Sequence, residues 1–184
     1  YYYPKGAINV KGYFLNGSRE GEWTWFHENG KVKTKGEYRL GDKHGKWLYY
    51  HENGKLETEK DYILGKINGN EKTYNSEGLL IRESQYYYGD LNGYRKFYSE
   101  DGHLQLIRYY ENDYLIGYSY LDQSGKEIPM VEIKNETAQI TSYFDNGNIA
   151  RELNITKGEF NGPYKEYYYS GQLAETQTYK NTLM

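Results

Sequence analysis

Two histidines stand at the same place in two nearly identical stretches. "WFHENGKV" covers residues 25–32 and "YYHENGKL" covers residues 49–56, so His27 and His51 lie 24 positions apart, each followed by a carboxylate, Glu28 or Glu52. Histidine beside glutamate is the material of zinc sites and of general acid–base pairs. Zinc needs its ligand atoms about 2 Å from a common centre. If the two stretches lie two strands apart in one sheet, their rings run parallel at roughly 10 Å and converge on nothing. His44 and His103 belong to other segments, and no third ligand is evident. The carboxylates recur at turn tips without a singular pair of the kind a glycosidase requires. G-x-S-x-G, the Walker loop and G-x-G-x-x-G are all missing from the chain. Catalysis is not expected, and no metal or cofactor is implied.

The aromatic residues beside these histidines suggest different chemistry. Trp23, Trp25, Trp47 and Tyr49 cluster in the same two segments, and no tryptophan follows Trp47. Such rings are enriched where partners bind, although cross-strand aromatics also stabilise sheets without a ligand. The candidate partner-binding face is therefore Trp23, Trp25, His27, Trp47, Tyr49 and His51.

The elements that position these residues follow from the glycines. Gly6, Gly30, Gly54, Gly78 and Gly102 are each 24 apart; Gly125, Gly147 and Gly171 continue the series with small slips. A second series reads G-x-x-x-G at Gly17/Gly21, Gly41/Gly45, Gly65/Gly69, Gly89/Gly93 and Gly158/Gly162, with Asp113 replacing the first glycine before Gly117. Fixed-period punctuation of this kind marks a repeat architecture. The segments between are short, aromatic and β-branched with no helical period, so each unit reads as a β-hairpin.

The residue before each turn glycine varies: Asn29, Asn53, Glu77, Asp101, Asn146 or Ser170. A two-residue type I′ turn needs positive φ at both centres, which Glu77 resists. A type I turn closed by a left-handed glycine needs it only at Gly30, Gly54, Gly78, Gly102, Gly147 and Gly171. That loop sets Phe26 opposite Val32, and likewise Tyr50/Leu56, Tyr74/Leu80, Tyr98/Leu104, Tyr143/Ile149 and Tyr167/Leu173. Each is an aromatic–aliphatic cross-strand pair contributing about 0.2–1 kcal/mol. Phe26, Tyr50, Tyr74, Tyr98, Tyr143 and Tyr167 thus form the expected structural aromatic ladder. Strict alternation adds Tyr38 and Tyr62 to the same face. The variable face, with the tryptophans, is left for recognition.

No hairpin stands alone, so each leans on its neighbours. The expected architecture is all-β: an elongated single antiparallel meander sheet of stacked ~24-residue hairpin repeats, curved and twisted, roughly 75 Å long. Residues 1–184 read as one array, with regular repeats over 1–117, an irregular unit over 118–137 and regular repeats over 138–184. The irregular unit lacks the closing G-x-x-x-G and carries Pro129, which cannot donate to a ladder and suggests a bend.

"GEYRLGDKHG", residues 36–45, resembles the MORN repeat, in which an aromatic precedes G-x-x-x-G and histidine often precedes the final glycine. Trp47 stands where the usual motif has a further glycine, a departure that resembles the MORN repeat variant found in bacterial proteins of the YwqK antitoxin type. The likeness covers nearly the whole chain and fails over residues 121–137. It implies an all-β scaffold for protein–protein contacts, dimers in some relatives, and toxin neutralisation in others.

Composition sets the remaining bounds. The chain is 37% hydrophobic with 25 tyrosines and few aliphatics, so a thick aliphatic core is not expected. A net charge of −3 gives no footprint for nucleic acid or anionic lipid, and phosphoinositide binding is not carried over from other MORN proteins. No apolar run approaches the ~20 residues of a membrane helix. The absence of cysteine fits any compartment. Beginning at Tyr1, the sequence is expected to lack an N-terminal piece such as a signal peptide, which leaves cytoplasm and export both open. The expected partner is a protein, a toxin by resemblance, or a second copy through open strand edges. A glycan is the rival ligand.

Overall fold

A computed structural model describes residues 1–184 except residue 5 and residues 134–136, 157–158 and 183–184. Gly158 of the second glycine series and residues 134–136 of the irregular unit therefore lie outside the described residues. Two compact units make up the chain, Tyr1–Asp90 and Leu91–Met184. Among the described residues there is no helix.

Unit 1 is an open antiparallel meander of β1 (Val10–Leu15), β2 (Ser18–Phe26), β3 (Val32–Arg39), β4 (Asp42–Tyr50), β5 (Leu56–Ile63), β6 (Lys66–Tyr74) and β7 (Leu80–Tyr87). Unit 2 holds β8 (Asp90–Tyr98), β9 (Leu104–Glu111), β10 (Tyr114–Ser119) and the two-residue β11 (Val131–Glu132). It also holds β12 (Thr137–Tyr143), β13 (Ile149–Thr156), β14 (Glu159–Tyr167) and β15 (Leu173–Thr182). The meander of hairpins is as expected, but it is not one sheet throughout. β12–β15 form a four-stranded sheet of their own. The break falls in the irregular unit, where β10, paired with β9 on one side, meets on the other, among the described residues, the two-residue strand Val131–Glu132. Pro129 has no amide to offer there, and the sequence lacks the closing G-x-x-x-G of the other units.

Two kinds of turn alternate. At the hairpin tips only glycine is left-handed, and the six glycines from Gly30 to Gly171 in the expected set have φ of 81° to 92°. His27 and Lys31 close the first such loop, the His27 amide donating to the Lys31 carbonyl at 2.8 Å. At the other end two successive residues are left-handed: Leu40 and Gly41 at 54° and 90°, Leu64 and Gly65 at 50° and 76°. These are type I′ turns. The first glycine of G-x-x-x-G is thus the second turn residue. The second glycine lies where the register slips, between Lys35↔Leu48 and Glu37↔His44 for Gly45.

A further slip decides the faces. Between Trp25↔Thr34 and Phe26↔Val32 the pairing skips Lys33, and the same slip recurs at Glu57 and Ile81. A bulge sets two successive side chains on one side, so alternation from Val32 to Tyr38 is broken. The expectation that Tyr38 and Tyr62 share a face with Phe26 and Tyr50 is corrected accordingly. Tyr38 packs edge-on against Trp23 and Trp47, and Tyr62 against Trp47. Unit 1 is a single layer whose core is this tryptophan row. Its other side carries Phe26 and Tyr50 half-buried among ion pairs such as Lys46–Glu59 (3.1 Å) and Lys72–Glu83 (3.8 Å).

Unit 2 builds a different core. Leu106 and Tyr118 from one sheet meet Ile140, Leu153, Ile155, Phe160 and Tyr164 from the other. The aliphatic residues the chain does have are concentrated here, so a two-layer core forms despite the low overall count. Arg108 lies between the rings of Phe97 and Phe160, at 4.6 and 4.5 Å, and burial lowers its pKa. Arg151 is buried over Phe97 and paired with Glu166 at 3.2 Å.

Candidate functional site

The tryptophan row of unit 1 begins with a steric fit. The indole of Trp23 lies flat on Gly12 and that of Trp47 on Gly36, so close that a Cβ on either glycine would sit 2.2 or 2.3 Å from a ring carbon. Only a residue without a side chain admits the ring there. Trp23 and Trp47 are consequently 2% and 1% exposed. The Trp47 Nε1–H donates to the Glu37 carbonyl at 3.1 Å. Phe14, Trp23, Tyr38, Trp47 and Tyr62 then follow edge to face, with centroids 5.0, 6.0, 5.0 and 6.1 Å apart. Edge-to-face pairs contribute about 0.5–1.5 kcal/mol beyond burial alone.

Cations roof this row. The Arg19 guanidinium lies over Trp23 at 5.0 Å and Tyr38 at 5.2 Å, and donates to the Tyr38 hydroxyl at 2.9 Å. The Lys43 ammonium lies over Trp47 at 4.3 Å and Tyr62 at 5.0 Å, and donates to the Tyr49 hydroxyl at 2.9 Å. Ring faces are negative, so each cation is held without a carboxylate. Burial, and then the Tyr49 hydroxyl, push the Tyr62 phenol up to about 12. Burial also raises that of Tyr49. Trp25 and Tyr49 complete the band beside the row, each half-buried and tilted against Trp47 at 5.7 and 6.4 Å.

The expected partner face divides on this geometry. Trp23 and Trp47 are core, a correction that follows from the bulge at Lys33 and the glycine slots. Trp25 and Tyr49 keep one side open. His27 and His51 are occupied by structure: each donates from Nε2 to the carbonyl of the next repeat, on Tyr50 at 2.8 Å and Tyr74 at 3.1 Å. An imidazole bonded to a carbonyl through Nε2 must carry its proton there.

The repeated "HENGK" is a clamp. Asn29 donates to the Glu52 carbonyl at 2.9 Å and Asn53 to that of Ser76 at 2.8 Å. Lys31 reaches the Asn53 carbonyl at 2.7 Å and Lys55 that of Glu77 at 2.8 Å. These two turns thereby each hold the backbone of the turn 22 to 23 residues ahead. Identical spelling at a fixed interval is what such a ladder needs.

Sequence reasoning missed Arg19, Lys43, Tyr38 and Tyr62 as members of the band. A signal for it was present. Gly12 and Gly36 each precede a tryptophan by eleven residues, whereas the equivalent of Trp47 in the next repeat is Glu71 and the equivalent of Gly36 is Lys60. There the slot holds an ion pair, Lys60–Glu71 at 3.0 Å, with Arg82 on the same carboxylate at 3.4 Å. Glycine goes with the indole, lysine with the carboxylate.

Four segments, residues 19–39, 43–63, 91–112 and 160–181, match the MORN repeat variant family. Each of these segments is similar to the repeats of that family. Each matched segment holds one hairpin, β2–β3, β4–β5, β8–β9 or β14–β15, with the left-handed glycine at its tip. MORN repeats are interaction modules for proteins and membranes, and the family is a scaffold rather than a catalytic one. No curated relative matches the chain.

Proposed function

We propose that this chain is a non-enzymatic scaffold that binds a protein partner through the aromatic and cationic band of unit 1. The observation that carries the reading is the contrast within the band. Trp23 and Trp47 are consumed by packing, while Trp25 and Tyr49 keep ring surface open beside Arg19 and Lys43. Aromatic anchors flanked by cations on a rigid layer are the usual composition of a binding hot spot. A toxin is the specific partner suggested by the resemblance to antitoxin-type variants. Self-association and glycan stacking are the competing occupants.

The test compares the two faces in the full chain. A photo-crosslinking residue at Thr58, which pairs with Tyr49, is set against one at Glu37, which points to the other side. In lysate of the source cells the Thr58 probe should form one defined heterologous adduct, lost on Trp25→Ala, and the Glu37 probe none. Equal labelling from both faces, an adduct only with the chain itself, or tryptophan quenching by glycans without any adduct would overturn the reading. Trp23→Ser provides the structural control. It should destabilise unit 1 by about 3–5 kcal/mol, as loss of a buried indole does, whereas Trp25→Ser should leave the fold and weaken the adduct.

A further inference from the structure

A cavity of about 280 Å³ opens beside Trp25. Trp25 and Trp47 give it aromatic walls, Thr34 a hydroxyl, and Lys33 and Lys43 two ammonium groups. The bulge of β3 accounts for Lys33 lying next to Thr34 on this side rather than on the opposite face. Among the described residues no carboxylate lines the cavity. Other cations of unit 1 do meet acids: Lys46 meets Glu59, Lys60 and Arg82 meet Glu71, and Lys72 meets Glu83. Lys43 spends one donor on the Tyr49 hydroxyl and rests on ring faces. An ammonium has three donors.

The neighbouring repeat supplies a comparison inside the same molecule. Twenty-four residues on, Trp25, Thr34 and Tyr38 become Tyr49, Thr58 and Tyr62, so the aromatic and hydroxyl parts persist. Lys33 becomes Glu57, Lys43 becomes Ile67 and Trp47 becomes Glu71. One repeat earlier Lys43 has a cationic counterpart in Arg19 while Lys33 becomes Asn9, so among the three repeats the pair of lysines stands in this one alone. Repetition of the scaffold does not require it, because the next repeat folds into the same hairpin with the opposite charge.

We propose that this cavity anchors a carboxylate carried beside an aromatic ring, supplied by an acidic–aromatic peptide segment of the partner. The ring lies against the open side of Trp25, and the carboxylate takes the free donors of Lys43 and the ammonium of Lys33. A charge-assisted pair in a partly desolvated, aromatic-walled site is stronger than its neutral amide counterpart by a factor of about ten or more. The proposal rests on the band being the partner surface, and it names the chemistry of its strongest point.

The probes are two capped dipeptides, acetyl-Phe-Glu-amide and acetyl-Phe-Gln-amide, with 3-phenylpropionate as the free-acid arm, titrated into the full chain. The readout is the indole N–H resonances of Trp25 and Trp47. The Glu peptide should move both saturably, the Gln peptide should bind at least tenfold more weakly, and Lys33→Glu, which copies the next repeat, should abolish the difference. Lys33 is exposed, so this variant keeps the fold. Equal binding of both peptides, no saturable shift with either, or unchanged binding by Lys33→Glu would overturn the proposal. Tighter binding of 3-phenylpropionate than of the Glu peptide would overturn the peptide source in favour of a small acid. A Thr58 cross-link that survives Lys33→Glu unchanged would remove the cavity while leaving the protein-binding reading intact.

Discussion

Gly36→Ala is the smallest change that probes the core of unit 1. The added Cβ would lie 2.3 Å from Cδ2 of Trp47, 2.4 Å from Cε2 and 2.6 Å from Cγ. Carbon atoms rest at about 3.5–4.0 Å, so the ring must move by roughly 1.2 Å or more. It has little room to do so, being edge-on to Tyr38 at 5.0 Å and to Tyr62 at 6.1 Å with Lys43 above. Displacement also strains the 3.1 Å bond from Nε1 to the Glu37 carbonyl. Overpacking costs about 1–3 kcal/mol and the lost bond about 1 kcal/mol. Alanine recovers about 0.4–1 kcal/mol by restricting the unfolded chain. The expected net loss is on the order of 1–3 kcal/mol. Because Trp23, Trp25 and Trp47 all lie in unit 1, tryptophan fluorescence in a urea titration reports that unit alone. The decisive comparison is with a Trp47→Ala background. There the clash is gone and Gly36→Ala should be neutral or stabilising. An unchanged or raised midpoint for Gly36→Ala alone, or the same effect in both backgrounds, would refute the slot.

Two further outcomes are expected. Leu40→Asn should raise stability by about 0.5–1 kcal/mol, since Leu40 is 82% exposed at a φ of 54° and Asn16 serves the same turn position at 50°; a lower urea midpoint would contradict this. Alkaline stability should fall between pH 10 and about 12, because the Tyr62 and Tyr74 phenols are both pushed up to about 12. The folded state then holds protons that the unfolded state has released, so the contribution is complete below the ordinary tyrosine value of 10.0 and is lost as pH rises through 12. Tyr62→Phe should flatten that decline, and an identical alkaline profile would contradict the assignment.

The two-glycine punctuation was enough to read the hairpins, their three-residue loops and the pairing of Phe26 with Val32, because these follow from local φ requirements. The faces were not legible by the same means. Alternation counts residues, and a single extra residue at Lys33 or Glu57 reverses the count beyond it. Nothing in the side chain of lysine or glutamate announces a bulge; its cause is the mismatch between a tightly closed turn and the ladder behind it. The second glycine of G-x-x-x-G is a case between these. Its presence was plain, but its use as a register slip that lets an indole fold back over Gly36 depends on the partner strand. The division of unit 2 into two sheets was half legible: Pro129 and the missing turn marked the place, while the core that follows is assembled from residues up to 58 positions apart, Leu106 to Tyr164.

Repetition itself narrows where function can lie. The positions shared by the two HENGK stretches are spent on neighbours: His27, Asn29 and Lys31 clamp the next turn, and Gly30 makes its own. A residue fully engaged by the adjacent repeat has nothing left for a partner. Where repeats differ, as Trp47 differs from Glu71, the difference is balanced by a change in the slot beneath and so remains structural. What is left are differences with no balancing change and an open side. Lys33 against Glu57 is of that kind and borders the half-open ring of Trp25, whereas Lys43 changes together with the indole it roofs, Trp47 to Glu71. In a stack of near-identical hairpins, the accessible exceptions that packing does not demand are the residues available to specify a ligand.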